Sequence, residues 1–506
     1  MSQLRVDELV DEEGTGSPDF PFGLTVSGNL SVDGGTIKLD GNYPTGTSNV
    51  ALGDTALDSL TSASKNVAIG SSALTSATSN GNNTAVGANA LTLTTGTANT
   101  GVGEGALESN TSASYNVAVG ANSLDANTTG ANNVSVGYAS LGANTTAANN
   151  VAVGYQAALA NTTGANNTVV GKQALLSNTT GLHHTAVGQL ALSQNTTGTY
   201  NTALGSFALQ NTTTGYRNVG LGYGALRQNT EGFYNIGIGF GTGGATTTGD
   251  YNVSIGGNAF LDNTTGGSNV AIGHDSLANN ITSNNSTAVG YQALYNMTGT
   301  NTTASNTAVG YHAGKGATTG YNNVYLGQSS GNYGTAHTTG IGATYLGAYA
   351  GASAAAATSE LVVAAGGTQT GKGNSTGFIS PAGGGVYQGN NSSSWSTTSD
   401  RRLKKNIVDS TIGLAEINQL QVRNFEYRTV DEVTELEDHT VVEKSGVQVG
   451  VIAQEIQAIL PNCVKEESTG VLSVDPDNLT WHLIKALQEL SAKNDALEAR
   501  IATLEG

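Results

Sequence analysis

Residues 399–407 read Ser-Asp-Arg-Arg-Leu-Lys-Lys-Asn-Ile, which sets one hydroxyl, Ser399, beside the four cations Arg401, Arg402, Lys404 and Lys405. Two chemistries suit that pattern. A cationic cluster can hold the carboxylates of a neighbouring chain. A serine hydroxyl can also become a nucleophile when a nearby base takes its proton, and a desolvated lysine crowded by other cations can serve as that base near neutral pH. The other reactive side chains are thinly spread. Cys463 is the single cysteine, so no intrachain disulfide forms, and it reads as a small buried residue. The seven histidines are dispersed without metal-ligand spacing, so no metal and no other cofactor is expected. The carboxylates Asp54, Asp58, Glu104, Glu108 and Asp125 are scattered with no local pairing, whereas glycoside hydrolysis usually needs two acting together.

The composition that must position these groups is unusual. Of 506 residues, 70 are Gly and only 6 are Pro, and charged residues make up 11%. Scarce proline rules out collagen and proline-rich disorder. The net charge of −18 leaves too few cations to neutralise phosphates, which argues against nucleic-acid partners. No apolar run approaches the roughly 18 residues that span a bilayer, so membrane insertion is not expected. Met1–Val10 is polar and acidic rather than a secretory signal, which points to synthesis in a host cytoplasm. Charge also divides the chain. Residues 49–398 hold 16 charged side chains, whereas 400–506 hold 30, and that jump marks a domain boundary.

Between the charged ends lies a repeat. A unit reading Asn-x-Ala-Val-Gly-x-x-Ala-Leu starts at Asn49, Asn66, Asn83 and Asn99 and recurs to Asn323, seventeen copies, nearly all 17 residues apart. The third place after each lead residue is Val, Ile or Leu, the fourth is Gly, and the seventh is small. Turn sequences such as Asn161-Thr162-Thr163-Gly164 separate the copies, which is strand-and-turn chemistry and excludes helix. The expected fold is therefore mainly β: a trimeric β-solenoid or β-roll shaft over 49–350. Each copy forms one coil of two short strands and two turns, and stacking at the sheet spacing gives a length of roughly 80 Å. Lead Asn residues should form a hydrogen-bonded ladder. Alternate residues of a strand face opposite ways, and no copy carries a charge in its first strand. One face fills the coil; the other needs a partner, which a trimer axis supplies.

The shaft resembles the head repeat of trimeric autotransporter adhesins, whose left-handed β-rolls pack three together. Residues 1–48 read as a β-rich cap. Their Arg5-Val6-Asp7-Glu8-Leu9-Val10 and Pro18–Val26 stretches resemble the opening of many marine phage fibre proteins. That likeness implies docking to other virion tail proteins. Residues 351–398, rich in Ala, Gly and Ser, read as a neck. Tyr138, Tyr155, Tyr223, Phe240, Tyr291 and Tyr311 follow the fixed glycines, either as solvated decoration or as a glycan-contacting surface.

Residues 399–506 complete the expected α+β C-terminal domain. Leu483, Leu487, Leu490, Asn494, Leu497, Ile501 and Leu504 alternate steps of four and three, a coiled-coil seam with one register-setting Asn. The opening nonapeptide together with Gly450-Val451-Ile452-Ala453-Gln454-Glu455 resembles the intramolecular chaperone auto-processing domain at the ends of phage tail spikes, endosialidases and long tail fibres. The resemblance implies self-cleavage with Ser399 as nucleophile and Lys404 as base, and Arg402, Asn406, Gln454 and Glu455 in support. The family pattern places the cut at Ser399–Asp400, whereas ring size favours attack on the preceding Thr398 carbonyl. The expected protein is a homotrimeric virion tail fibre that meets a host surface glycan or protein. Its enzymology is at most a single-turnover serine-type auto-protease, with no activity on a turned-over substrate. A tail-spike polysaccharide depolymerase and a bacterial trimeric surface adhesin are the alternatives.

Overall fold

The computed structural model describes residues 47–299, 304–365, 368–381, 385–389, 395–397, 399–434, 442, 444–467 and 470–506. Residues 1–46, nearly all of the expected cap, lie outside the described residues. The chain forms two compact units, Met1–Thr398 and Ser399–Gly506.

The first unit is a β-solenoid. Each repeat contributes a three-residue strand, beginning with Val50–Leu52 and Val67–Ile69, and each strand pairs in parallel with the next at the repeat spacing. Val50 lies opposite Val67, Ala51 opposite Ala68 and Leu52 opposite Ile69, and the same register runs on to Val324–Leu326. Stacking continues through Thr344–Leu346, Leu361–Ala365 and Gly377–Pro381. The last strand then turns back into an antiparallel ladder with Val386–Gln388, itself antiparallel to Trp395–Thr397.

Each coil holds one strand, not the two expected. The reason lies in the backbone of the return leg. Gly120 sits at φ 130°, and Asn122 and Leu124 then occupy the left-handed region at φ 54° and 52°. That conformation interrupts any strand, yet the amides still find partners one coil away. Asn122 N–H donates to Glu104 O (2.9 Å) and Leu124 N–H to Ser140 O (3.0 Å). Glycine at the fourth place is fixed by contact as well as by φ. A Cβ on Gly137 would come within 2.3 Å of the Gly154 carbonyl oxygen.

Inside the coil, the middle strand residue is small and buried, as at Ala118, and the buried Leu124 fills the space opposite. Two ladders of buried amides flank this apolar stripe. The lead Asn of one coil accepts the backbone N–H of the next, as from Asn133 to Asn116 Oδ1 (2.8 Å), while its own Nδ2 donates to Gly130 O (2.9 Å). A second ladder, eleven places after the lead, links Asn110, Asn127, Asn144, Asn161, Asn178 and Asn195 side chain to side chain at 2.7–3.0 Å. An unpaired buried amide costs about 1–3 kcal/mol. Amides belong in this core only because each has a neighbour at the same height.

Toward the end of the stack the interior changes character. Tyr325 and Tyr345 replace the small residue and stack with centroids 5.8 Å apart. Tyr325 Oη bonds His337 Nδ1 (2.7 Å), and Tyr345 Oη donates to Glu360 (3.0 Å). Glu360 stands where a lead Asn would, buried, and also accepts the N–H groups of Ser353 and Gly373.

The C-terminal unit has its own core of Ile456, Leu460 and Cys463, packed by Ile412, Ile417, Leu420, Val451 and Leu479. Helix α1 (Leu414–Ile417) packs on the long helix α3 (Pro476–Glu505), and helix α2 (Ala453–Ile459) contributes Ile456. Strand Arg423–Phe425 pairs antiparallel with Gln448–Gly450, and Val464–Glu466 with Leu472–Val474. Asp475 caps α3 by accepting from Asn478 N–H (3.0 Å), with Pro476 in the first turn. Burial pushes the Cys463 thiol up, away from nucleophilic use.

Two breaks in the ladders give measurable expectations. Thr212 interrupts the second ladder and leaves Asn195 Oδ1 and its own Oγ1 without partners. Thr212→Asn restores the missing amide and should stabilise the shaft by about 1 kcal/mol, read as a raised thermal midpoint; a lowered midpoint refutes the ladder's role. His184 replaces a lead Asn and copies it, with Nε2–H donating to Gly198 O (2.8 Å) and Nδ1 accepting from Asn201 N–H (3.3 Å). Burial pulls its pKa down from 6.5 to about 4, because the charged ring cannot be solvated there. The unfolded chain binds the proton more tightly, so this contribution is full above pH 6.5 and lost as pH falls toward about 4. The total is about 3 kcal/mol. His184→Asn should flatten the melting-temperature profile across that window; an unchanged slope would count against it.

Candidate functional site

Ser399 opens the C-terminal unit, and the four residues after it fold into a tight turn. Asp400 caps that turn: its carboxylate accepts from Arg402 N–H (2.8 Å) and from the Arg402 guanidinium at 2.6–3.1 Å. The guanidinium holds the Asp400 carboxyl below its usual range. Arg401–Leu403 forms one 3-10 turn, and Lys404 leaves it in an extended conformation. The reversal brings Lys404 Nζ to 2.7 Å from Ser399 Oγ, the ammonium donating to the hydroxyl. A five-residue spacing has thus become a bonded pair, and the ion pair on the intervening residues fixes the turn that makes it. Once the amine has lost its proton, the same geometry lets it accept the serine proton during attack on a carbonyl.

Ser399 and Lys404 are both exposed, as is the whole stretch 401–411, and Asp400 is half-buried. Lys404 is therefore not desolvated within one chain. Arg401, Lys405 and Asn406 project into solvent, with Asn406 in the left-handed region at φ 55°. Glu455 lies in the first turn of α2 and accepts from Nε and Nη2 of Arg423 at 3.1 and 3.0 Å. Gln454 lines a cavity of about 490 Å³ with Phe425, Tyr427, Val451 and Leu472. Among the described residues neither Gln454 nor Glu455 bonds to Ser399 or Lys404. Arg423 and this cavity had no distinct signal in the sequence.

The seam residues all lie on one face of α3. Leu483, Leu487, Leu490, Leu497, Ile501 and Leu504 are 48–84% exposed, and Asn494 donates to Glu498 (2.8 Å). Only His482 and Ala486 of this 30-residue helix are buried.

On the shaft, the aromatic residues after the fixed glycines stack on one another from coil to coil. Tyr138–Tyr155, Tyr223–Phe240 and Tyr291–Tyr311 have centroids 5.4–5.5 Å apart and nearly parallel planes. Each ring covers one face of its neighbour, and the rings stay exposed at the surface. A second ladder, just before the lead residue, runs His183, Tyr200, Arg217, Tyr234, Tyr251. The carboxylates correct one expectation. Glu108 and Asp125 occupy the same place in consecutive coils, so they are neighbours, and burial, with a smaller contribution from Glu108, raises the Asp125 pKa. Neither lines the cavities of the C-terminal unit.

With this geometry in view, comparison with known proteins is informative. Residues 399–465 match the family described as chaperone of endosialidase. The chain is similar to a probable tail fiber protein of Escherichia phage Phieco32, 32% identical over 21% of this chain and 14% of that protein. It is also similar to myelin regulatory factor homolog 1 of Caenorhabditis elegans, 31% identical over 20% of this chain and 11% of that protein. The matches thus span about a seventh and a ninth of those relatives. No solved structure matches. A β-solenoid shaft, likeness to a phage tail fibre protein and a C-terminal segment that matches the chaperone of endosialidase family together fit a tail fibre that ends in its own chaperone.

Proposed function

We propose that the protein is a homotrimeric virion tail fibre whose C-terminal domain aligns three chains, assists their folding and then cuts itself away once. The observation that carries this reading is the bonded Ser399–Lys404 pair at the first residue of the chaperone-type unit. A cut there separates chaperone from shaft and nothing else. Support for three chains comes from the outer strand face, where Leu52 and Leu204 are 58% and 50% exposed, and from the bare seam of α3. Apolar strips of this extent on one chain call for a partner. Residues 1–48 serve attachment to other tail proteins, and the exposed stacked aromatic ladders are where the shaft meets a host surface glycan or protein.

The cleavage chemistry needs no cofactor. Neutral Lys404 takes the proton of Ser399 as Oγ attacks a backbone carbonyl carbon, and the departing amine takes that proton in turn. Water then hydrolyses the ester, releasing a carboxylate and restoring the hydroxyl. Attack on the Thr398 carbonyl passes through a five-membered ring; attack on the serine's own carbonyl requires a four-membered one.

Denaturing gels of the 50.9 kDa chain should show a shaft band and one small fragment. Ser399→Ala and Lys404→Arg should each leave a single full-length band, since a guanidinium keeps the charge and cannot act as the base. Sequencing the small fragment from its N-terminus decides between a cut before and a cut after Ser399. Sedimentation of the Ser399→Ala chain should give a trimer. A full-length wild-type band in mature particles would overturn self-cleavage and spare the chaperone role, whereas a well-folded single-chain species would overturn the trimer.

A further inference from the structure

The C-terminal unit carries two apolar features that no other described residue of the chain covers. The first is the segment beginning at the Ser399–Lys404 pair. Leu403, Ile407 and Val408 are 74%, 55% and 85% exposed, and Ile412 is the first residue after Ser399 to join the domain core. Three large aliphatic side chains in so short a stretch are costly to leave in water. The second is the cavity of about 490 Å³, walled by Phe425, Tyr427, Val451, Ile452, Leu472 and Val474. It is roomy enough for several aliphatic side chains. Charge matches as well as polarity. Residues 399–409 hold four cations and two acids, whereas 410–506 hold seven cations and seventeen acids. Glu426 stands on the cavity wall beside Arg428, and Asp431 and Glu432 follow close by in the chain. A basic arm with aliphatic side chains and a cavity of mixed apolar and polar lining in an acidic domain are complementary surfaces. In a symmetric assembly, such surfaces satisfy each other between copies.

We propose that residues 403–408 of one copy dock into this cavity of a neighbouring copy, so that the Ser399–Lys404 pair lies at a junction between chains. This rests on the trimer reading above and adds to it the exchanged segment and its receptor. Docking removes water from Leu403, Ile407 and Val408, and it carries Lys404, which lies between them, out of bulk solvent. The pair that is formed but exposed in one chain then acquires the desolvation that a lysine base needs.

The test uses the full chain with Ser399→Ala, so that the shaft stays attached. A photoreactive benzoylphenylalanine replaces Ile407 in one tagged copy, co-expressed with a differently tagged copy that lacks it. Mass spectrometry of cross-linked peptides is expected to join position 407 of the first tag to the cavity wall of the second. A trimer whose cross-links stay within one chain, or run to the shaft, overturns the docking and leaves the trimer intact. Sedimentation as a single chain overturns both. In the chain that retains Ser399, Ile407→Glu with Val408→Glu should slow self-cleavage at least about tenfold while the trimer persists; cleavage at the wild-type rate in that trimer refutes the proposal.

Discussion

The shaft depends on the spacing of one buried amide. Each lead Asn accepts the backbone N–H of the next lead residue, so one coil's interior polar group is satisfied only by its neighbour. Alignment of the lead residues follows from this requirement, because an amide shifted along the stack would be buried without a partner, and coils of 16 or 20 residues still keep the bond. Fixed glycine follows too: coils stacked this closely leave no space for a Cβ beside the next carbonyl. The small residue and the left-handed leucine then fill what remains of the cross-section. His184 keeps this hydrogen-bond pattern as a ring, whereas Glu360 replaces it with bonds accepted from a phenol and two other amides.

The two units solve opposite problems. The solenoid satisfies itself along its axis and leaves apolar strand faces sideways. The C-terminal unit has a small core around Ile456, Leu460 and Cys463, and its exposed apolar residues occur on several elements, from Leu403 to Leu504. Such exposed aliphatic surface on a 108-residue unit is what supports the proposed contact with other chains. The same feature explains why the Ser399–Lys404 hydrogen bond can form in a single chain while Lys404 stays exposed.

Much of this was legible in the sequence. Period, lead amide, glycine and small residue together define a coil, and the Ser399–Lys404 spacing survives as a real hydrogen bond. The failures have physical reasons. Leu124 and its counterparts adopt a left-handed backbone that sequence reasoning reserves for Gly and Asn, so a turn-built return leg read as a strand. Asn127 and its ladder looked like turn residues, since burial of a turn amide becomes visible only when coils are stacked. Coils led by Ala343 and Glu360 were hidden because they lack the marker amide, although the pairing register continues through them. Glu108 and Asp125 were judged unpaired by distance along the chain, the wrong measure in a solenoid.

In the proposed trimer, the register between three such chains is a constraint separate from the stacking within each. Within one chain, neighbouring coils are only about one repeat apart in sequence, so closing the solenoid is a series of local steps that propagate like other repeat arrays. Slowness therefore does not lie in the intrachain pairing. It lies between chains, because sliding one shaft past another by a whole coil restores nearly the same outer surface. Val, Leu, Ile and Thr recur at the outward positions from Val50 to Leu346 with too little variation to penalise such a slip. A repetitive surface cannot specify its own alignment, for the same reason that a uniform strand slips in register. Unique sequence must do so, and the described residues hold it at the C-terminal end, where α3 offers a seam with a single polar position at Asn494. Alignment is needed only while the chains are being joined. Afterwards the proposed trimer would be held by the stacked amides of each shaft and the contacts between chains, so the proposed cut at Ser399 would remove a domain whose task is complete.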